Sequence, residues 1–279
     1  MSDYQQEFYN EYDGYIDEIW VEDKYIDEAE EDILALYDSD RSSVYYARQL
    51  QVKLEKKYFH WITYKTLKYL GDLGKLEKKI RKQTEGTEIH FYIHPSNRYP
   101  IRKINEMEKI VREYSQPHIA KSCGQRAEDL FCLGLFKAGF NYSEKKVKKF
   151  RRKEWKRTGH DLDFLFERDN IYYGCEIKNS LSYIDKDEFD IKLAMCDFFE
   201  IRPLFIMRMA PKSYIDEIHK KGGYALIFEW QLYELSQKNL VDRIRQYLDL
   251  KVDCPTAIYD STIAKFESWH KKRVNANLK

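Results

Sequence analysis

The spacing of apolar positions changes several times along the chain, and each change marks an element. In residues 1–40, Ile16, Ile19, Trp20, Ile26, Ile33, Leu34 and Leu36 are scattered among acids, and IDEAEEDILALYD has the spacing of a short amphipathic helix. Val44, Ala47, Leu50 and Leu54 then fall at helical intervals in VYYARQLQVKLEKK, with Ser42 or Ser43 placed to cap it. A second helix is expected through ITYKTLKYLGDLG, with Thr63 near its start and Gly71 or Gly74 near its end. KLEKKIRK and TEIHFYIH are expected as two strands around Thr84–Glu85–Gly86. Pro100 suits the first turn of a helix through IRKINEMEKIVREYSQ that Gln116–Pro117 ends, so residues 96–120 are expected to link two domains.

Residues 121–230 alternate between the two periods. GQRAEDLFCLGLFKAGF places Ala127, Leu130, Phe131, Leu133 and Leu135 on a helix stopped by Gly139. VKKFRRKEW is expected as a strand, and DLDFLFER and IYYGCEIKN as two more around Asp169–Asn170. KDEFDIKLAMCDFFE and YIDEIHKKGG follow as helices, each preceding a short apolar strand, PLFIMRM and YALIFEW. The order α-β-β-β-α-β-α-β predicts an α/β fold, a mixed sheet flanked by helices. Residues 231–279 are expected as a helical extension, clearest in LYELSQKNLVDRIRQYLDL.

Composition narrows the class. Hydrophobic residues make up 43% of 279 positions and charged residues 34%, enough for a buried core under a heavily charged surface. No apolar run is long enough to span a membrane, and no basic stretch followed by an apolar one marks a secretory signal at the N-terminus. Cys123, Cys132, Cys175, Cys196 and Cys254 are odd in number and form no CxxC pair, which argues against a disulfide framework or a structural zinc site. Reduced thiols in a cytoplasmic protein are the simplest expectation.

The net charge of +1 conceals an asymmetry: residues 1–40 hold fifteen Asp or Glu and one Lys, leaving 47 Lys or Arg against 32 Asp or Glu in the rest. A basic body points to a polyanionic partner. The acidic segment is either a folded arm, a mobile tail that shields the basic surface, or a solubilising extension. KKVKKFRRKEWKR, Lys145 to Arg157, has nine basic residues in thirteen and includes Lys148, Lys149, Arg151, Arg152 and Lys153 as candidate phosphate contacts; a solvated edge strand is the alternative.

Candidate chemistry concentrates in GHDLDFLFERDNIYYGCEIKNS. Alternate residues of a strand share a face, so Asp161 and Asp163 are expected on one side of one strand and Glu176 and Lys178 on one side of the next. Crowded carboxylates in a sheet repel one another and lose hydration, and a divalent cation removes that cost. Hard oxygen ligands favour magnesium, with manganese as a substitute. Asp163 and Glu176 are the main candidate ligands, with the Ile177 carbonyl facing the same metal and Asp161 as rival or auxiliary to Asp163. Lys178 can hold an attacking water and offset charge on the phosphate. His160 and Asn179 are candidate substrate contacts.

This stretch resembles the PD-(D/E)xK nucleases of the restriction-endonuclease-like superfamily: Asp163 precedes Glu176 by thirteen positions, and Glu176–Ile177–Lys178 supplies the Glu-x-Lys. The resemblance covers about residues 120–230. It implies an αβββαβ core, a magnesium-dependent endonuclease, and a further Glu on the preceding helix, a place that Glu128 fits. Gly159–His160 stands where the family's Pro would precede Asp161. Residues 41–95 resemble a winged helix-turn-helix module, with Lys65, Lys68 and Tyr69 outward on a recognition helix, and Lys78, Lys79, Arg81 and Lys82 on the wing. Such modules bind DNA or mediate dimerisation. Together the two resemblances imply a restriction-type or modification-dependent nuclease acting as a homodimer on double-stranded DNA in host defence. A structure-selective repair or junction-resolving nuclease is the second reading, and a DNA-binding assembly protein with a vestigial core the third.

Overall fold

The structure, a computed structural model, describes residues 24–82 and 88–277. The described chain is mixed α/β and divides into two compact units, each built from two stretches of sequence: the described residues up to 119 with 239–251, and 120–238 with the described residues from 252 on. The units divide at the boundary expected near residue 120, and the first groups the segments expected on either side of residues 40 and 95.

The first unit begins with helix α1, Lys24–Ser39, whose Ala29, Ile33 and Tyr37 are fully buried at intervals of four. Tyr37 donates its hydroxyl to the Tyr92 carbonyl at 2.9 Å. The later part of the expected acidic arm is thus core, while its residues 1–23 lie outside the described residues. Strand β1, Val44–Tyr46, precedes helices α2, Ala47–Leu54, and α3, His60–Asp72. The helix expected from Val44 starts three residues later because the β-branched and aromatic Val44–Tyr46 pair with a strand. Ser42 and Ser43 do not cap it; both bond the Asp40 carboxylate in the preceding turn. Strands β2, Glu77–Lys82, and β3, Glu88–Ile93, complete an antiparallel sheet in the order β1-β3-β2; the turn expected at residues 84–86 lies outside the described residues.

Helix α4, Ile101–Tyr114, is no free linker: Ile104, Met107, Ile110 and Val111 are buried. Its Glu108 pairs with Arg81 of β2 at 3.2 Å, and its Arg112 donates to the Lys82 carbonyl at 2.6 Å. Helix α8, Lys238–Arg243, and the π-helical turn at Ile244–Leu248 return to this unit, where Lys53 pairs with Asp249 and Lys251 with Glu55.

The second unit opens with helix α5, Pro117–Lys137, which starts at the proline expected to end its predecessor. Gly139 stops it at a φ of +81°. Three antiparallel strands follow: β4, Asn141–Val147, β7, Leu162–Arg168, and β8, Ile171–Lys178. Strands β9, Arg202–Met207, and β10, Tyr224–Ile227, extend β8 in parallel, giving the order β10-β9-β8-β7-β4. The basic run does not form the single strand expected. Lys146 and Arg151 adopt left-handed backbones, so β4 ends at Val147 and the two-residue strands β5, Lys149–Phe150, and β6, Lys153–Glu154, fold back as a hairpin.

Alternate strand residues feed two apolar layers. Phe164, Phe166, Cys175 and Ile177 pack with Phe131 of α5 and with Phe266 of the last helix, α9, Asp260–Asn277. On the other face, Leu165 packs with Met195 and Cys196 of helix α6, Lys186–Phe199. Met207 of β9 packs with Phe189 of α6 and with Ile218 of helix α7, Lys212–Lys220. The C-terminal stretch is therefore not an extension: residues 239–251 belong to the first unit and α9 to the core of the second.

Candidate functional site

The β7–β8 hairpin turns at Asp169 and Asn170, whose φ angles of 53° and 60° match the twist of a two-residue turn, as the sequence predicts. Backbone pairing runs from Arg168↔Ile171 to Phe164↔Cys175 and stops there. One position further on, Asp163 takes over the ladder: its Oδ2 accepts the Ile177 N–H at 2.7 Å. Strand alternation slips at this point. Leu162 joins the α6 layer and Phe164 the α5 layer, so Asp163 turns into the gap where the strands part. Asp161 lies just before β7, rather than beside Asp163 on one strand face.

Glu176 faces α6 and is 4% exposed. Its Oε2 accepts from Lys192 Nζ of α6 at 2.6 Å, and Lys192 also donates to the Asp161 carbonyl. Lys178, on the same face of β8, pairs with Glu188 of α6 at 3.1 Å. Glycine at 174 lets α6 approach this strand, because a Cβ there would stand 2.8 Å from Cys196 Sγ and from Leu162 Cδ1. The helix starts firmly where it must, with the Asp185 carboxylate accepting from the Asp187 and Glu188 N–H groups.

Burial pushes the Asp163 carboxyl up to about 6; Lys192 and the Ile177 N–H oppose the rise, while Glu128 and Asp161 add to it. Burial, and then the charge of Asp163, raise Glu176 well above the usual carboxylate range, against the pull of Lys192. Burial alone would lower Lys192, but the charges of Glu176 and Asp163 outweigh it and hold the ammonium above its ordinary range. Glu128, on α5, is paired with Lys145 at 2.7 Å. Of these carboxylates, Glu128, Glu176 and Glu188 each face an ammonium, whereas Asp163 and Asp161 have no ion pair among the described residues.

Asp163 and Glu176 each keep one carboxylate oxygen that could serve a cation. Asp163 Oδ1 and Glu176 Oε1 make no hydrogen bond to a described residue. The Ile177 N–H points toward β7, and its carbonyl lies on the same side of the strand, beyond the end of the ladder. Two carboxylates and one carbonyl fit a magnesium ion that keeps waters and takes the rest of its ligands from a phosphate. Among the described residues, no three His, Cys, Asp or Glu side chains converge to enclose a metal on their own.

Other candidates are placed differently. Asn179 is built into the frame: its amide donates to the Cys123 and Leu232 carbonyls and its oxygen accepts the Leu232 N–H, so the expected substrate contact has no free group to make it. His160 is exposed, with Nδ1 3.1 Å from Thr158 Oγ1. On the basic hairpin Lys148 reaches the Gly159 carbonyl, Lys149 pairs with Glu154 and Lys153 with Glu200; Arg151 lies over Phe150 and Tyr172, and Arg152 is exposed. In the first unit Lys68 and Tyr69 are exposed on α3 and Lys65 is half-buried; Lys79 pairs with Glu77 and Arg81 with Glu108.

Lys192 and Glu188 were not among the residues expected. Their signal is a lone Lys inside the apolar run IKLAMC, four residues after a Glu. No helix among the described residues is long and apolar enough to cross a membrane. The chain matches no protein-family model, no curated protein and no solved structure.

Proposed function

We propose that this chain is a magnesium-dependent DNA endonuclease: a PD-(D/E)xK core in the second unit, joined to a winged-helix reader in the first. The observation that carries the reading is the 2.7 Å bond from Ile177 N–H to Asp163, which fixes the first carboxylate against the backbone of the Glu-x-Lys. Further support comes from the order helix, three antiparallel strands, helix, parallel strand, and from Glu128 on the helix before the site. In the first unit, the order α1-β1-α2-α3-β2-β3 with sheet order β1-β3-β2 supports the winged-helix reading.

Asp163, Glu176 and the Ile177 carbonyl would hold the cation, with Asp161 as the auxiliary ligand. A bound cation would supply a water acidified for attack and a positive charge beside the scissile phosphate. Lys178 orients that water and offsets charge developing on phosphorus. Exposed Arg151, Arg152 and Lys148 neutralise backbone phosphates. A double-strand break needs two such sites, so the active form is a homodimer.

The test is digestion of methylated, unmethylated and branched DNA with magnesium, with Glu176→Ala and Lys178→Ala beside the wild type. Both variants should bind DNA and fail to cut it. Cleavage unchanged by either would sink the assignment. Reader function is probed with Lys68→Ala and Tyr69→Ala, because deleting residues 1–95 would strip the partners from the apolar face of α4.

A further inference from the structure

The Glu-x-Lys of β8 meets a complementary pair on α6. Glu176 and Lys178 lie two apart on one face of the strand, and Glu188 and Lys192 lie four apart on one face of the helix. The two spacings are alike, about 6.6 Å along a strand and about 6 Å along a helix. The helix returns antiparallel to β8 between two parallel strands, so each Lys meets a Glu: Lys192–Glu176 at 2.6 Å and Lys178–Glu188 at 3.1 Å. The inner pair is almost fully desolvated, with side chains 6% and 5% exposed. Such a pair adds little net stability over an apolar one, but removing one partner is severe because the other charge stays buried. The Asp161 carbonyl gives Lys192 a second acceptor and holds it on one oxygen of Glu176.

We propose that Lys192 is a positioning residue, a resident counter-ion that holds Glu176 in place and the cation site assembled before a divalent cation arrives. Its bond is to Oε2 of Glu176 and leaves Oε1 to other ligands. Glu188 does the same for Lys178 from one helical turn away. The inference rests on the cation-site reading above, and its test separates the two.

Thermal unfolding of the full chain is measured with and without saturating Mn2+ for the wild type, Lys192→Met, Lys192→Arg and the double variant Glu176→Gln/Lys192→Met. Without cation, Lys192→Met should lower Tm by about 10 °C. Mn2+ should raise the Tm of Lys192→Met more than that of the wild type, because the ion takes over the lost compensation. Lys192→Arg should stay near the wild type. The double variant should recover most of the Tm loss and lose the Mn2+ response. If Lys192→Met does not fold, the double variant carries the test, since removing both charges should restore folding. Equal Mn2+ shifts in wild type and Lys192→Met, or a Tm loss that persists in the double variant, overturn the role of Lys192 alone. A wild-type Tm that Mn2+ does not move overturns the cation site and this inference with it.

Discussion

Strands β2 and β8 both carry Glu-x-Lys, and the two have opposite fates. On β2, Glu77–Lys78–Lys79 faces water, and Glu77 and Lys79 pair with each other at side-chain exposures of 45% and 35%. On β8, Glu176–Ile177–Lys178 lies under a helix, its middle residue is buried, and each charged residue draws its partner from α6. An exposed pair is screened and nearly neutral in free energy. A buried one must be compensated from elsewhere, and that compensation is what gives a site its geometry. The tripeptide carries no chemistry by itself; what lies over it decides.

The widest gap between the two is expected in the proposed cleavage reaction. Glu176→Ala or Lys178→Ala should lower magnesium-dependent cleavage by roughly 10²–10³-fold. Glu77→Ala and Lys79→Ala should leave the cleavage step alone, and a comparable loss there in single-turnover rates would erase the contrast.

Stability gives the next difference. The Asp163 carboxyl titrates near 6 in the folded chain against 3.8 in the reference state, so folding disfavours its ionised form. That penalty is absent below the lower value, grows as pH rises between the two, and is complete above 6. Asp163→Asn keeps an acceptor for the Ile177 N–H and should stabilise the fold by about 2 kcal/mol at pH 7.5. Chemical denaturation should show the gain shrinking as pH falls from 6 to 4; a gain independent of pH would mean that charge is not its cause.

A smaller effect is expected at the basic hairpin. If the proposed phosphate contact exists, Arg152→Ala should weaken DNA binding and lower the slope of log affinity against log salt by about 0.9. The smallest belongs to the exposed pair: Glu77→Gln should change stability by less than about 0.5 kcal/mol in urea unfolding.

The β7–β8 hairpin was readable because two-residue turns have a strong local signature and strand alternation is short-range. Asp163 and Glu176 followed from it. The helix face of Lys192 and Glu188 was not, since only the crossover from β8 through α6 to β9 decides which helical residues lie over which strand residues. Asn179 looked like a surface contact because polar residues after a strand usually are; its burial depends on carbonyls 56 and 53 positions away. The α1 helix was legible as amphipathic, yet its acid count hid that Ala29, Ile33 and Tyr37 fill a core. The β1 strand was lost because three residues are too few for periodicity to separate strand from helix.

The interleaving of the two units sets an order of events during synthesis. Residues 239–251 belong with the first unit, so its first stretch stays incomplete until residues 120–238 of the second have been made. The lysine and aspartate that tie this late segment back, Lys53 and Asp249, are separated by 196 positions. Closing so long a loop is slow compared with local helix and hairpin formation. Residues 239–251 should therefore join the first unit late in folding, an order that hydrogen exchange during refolding would reveal.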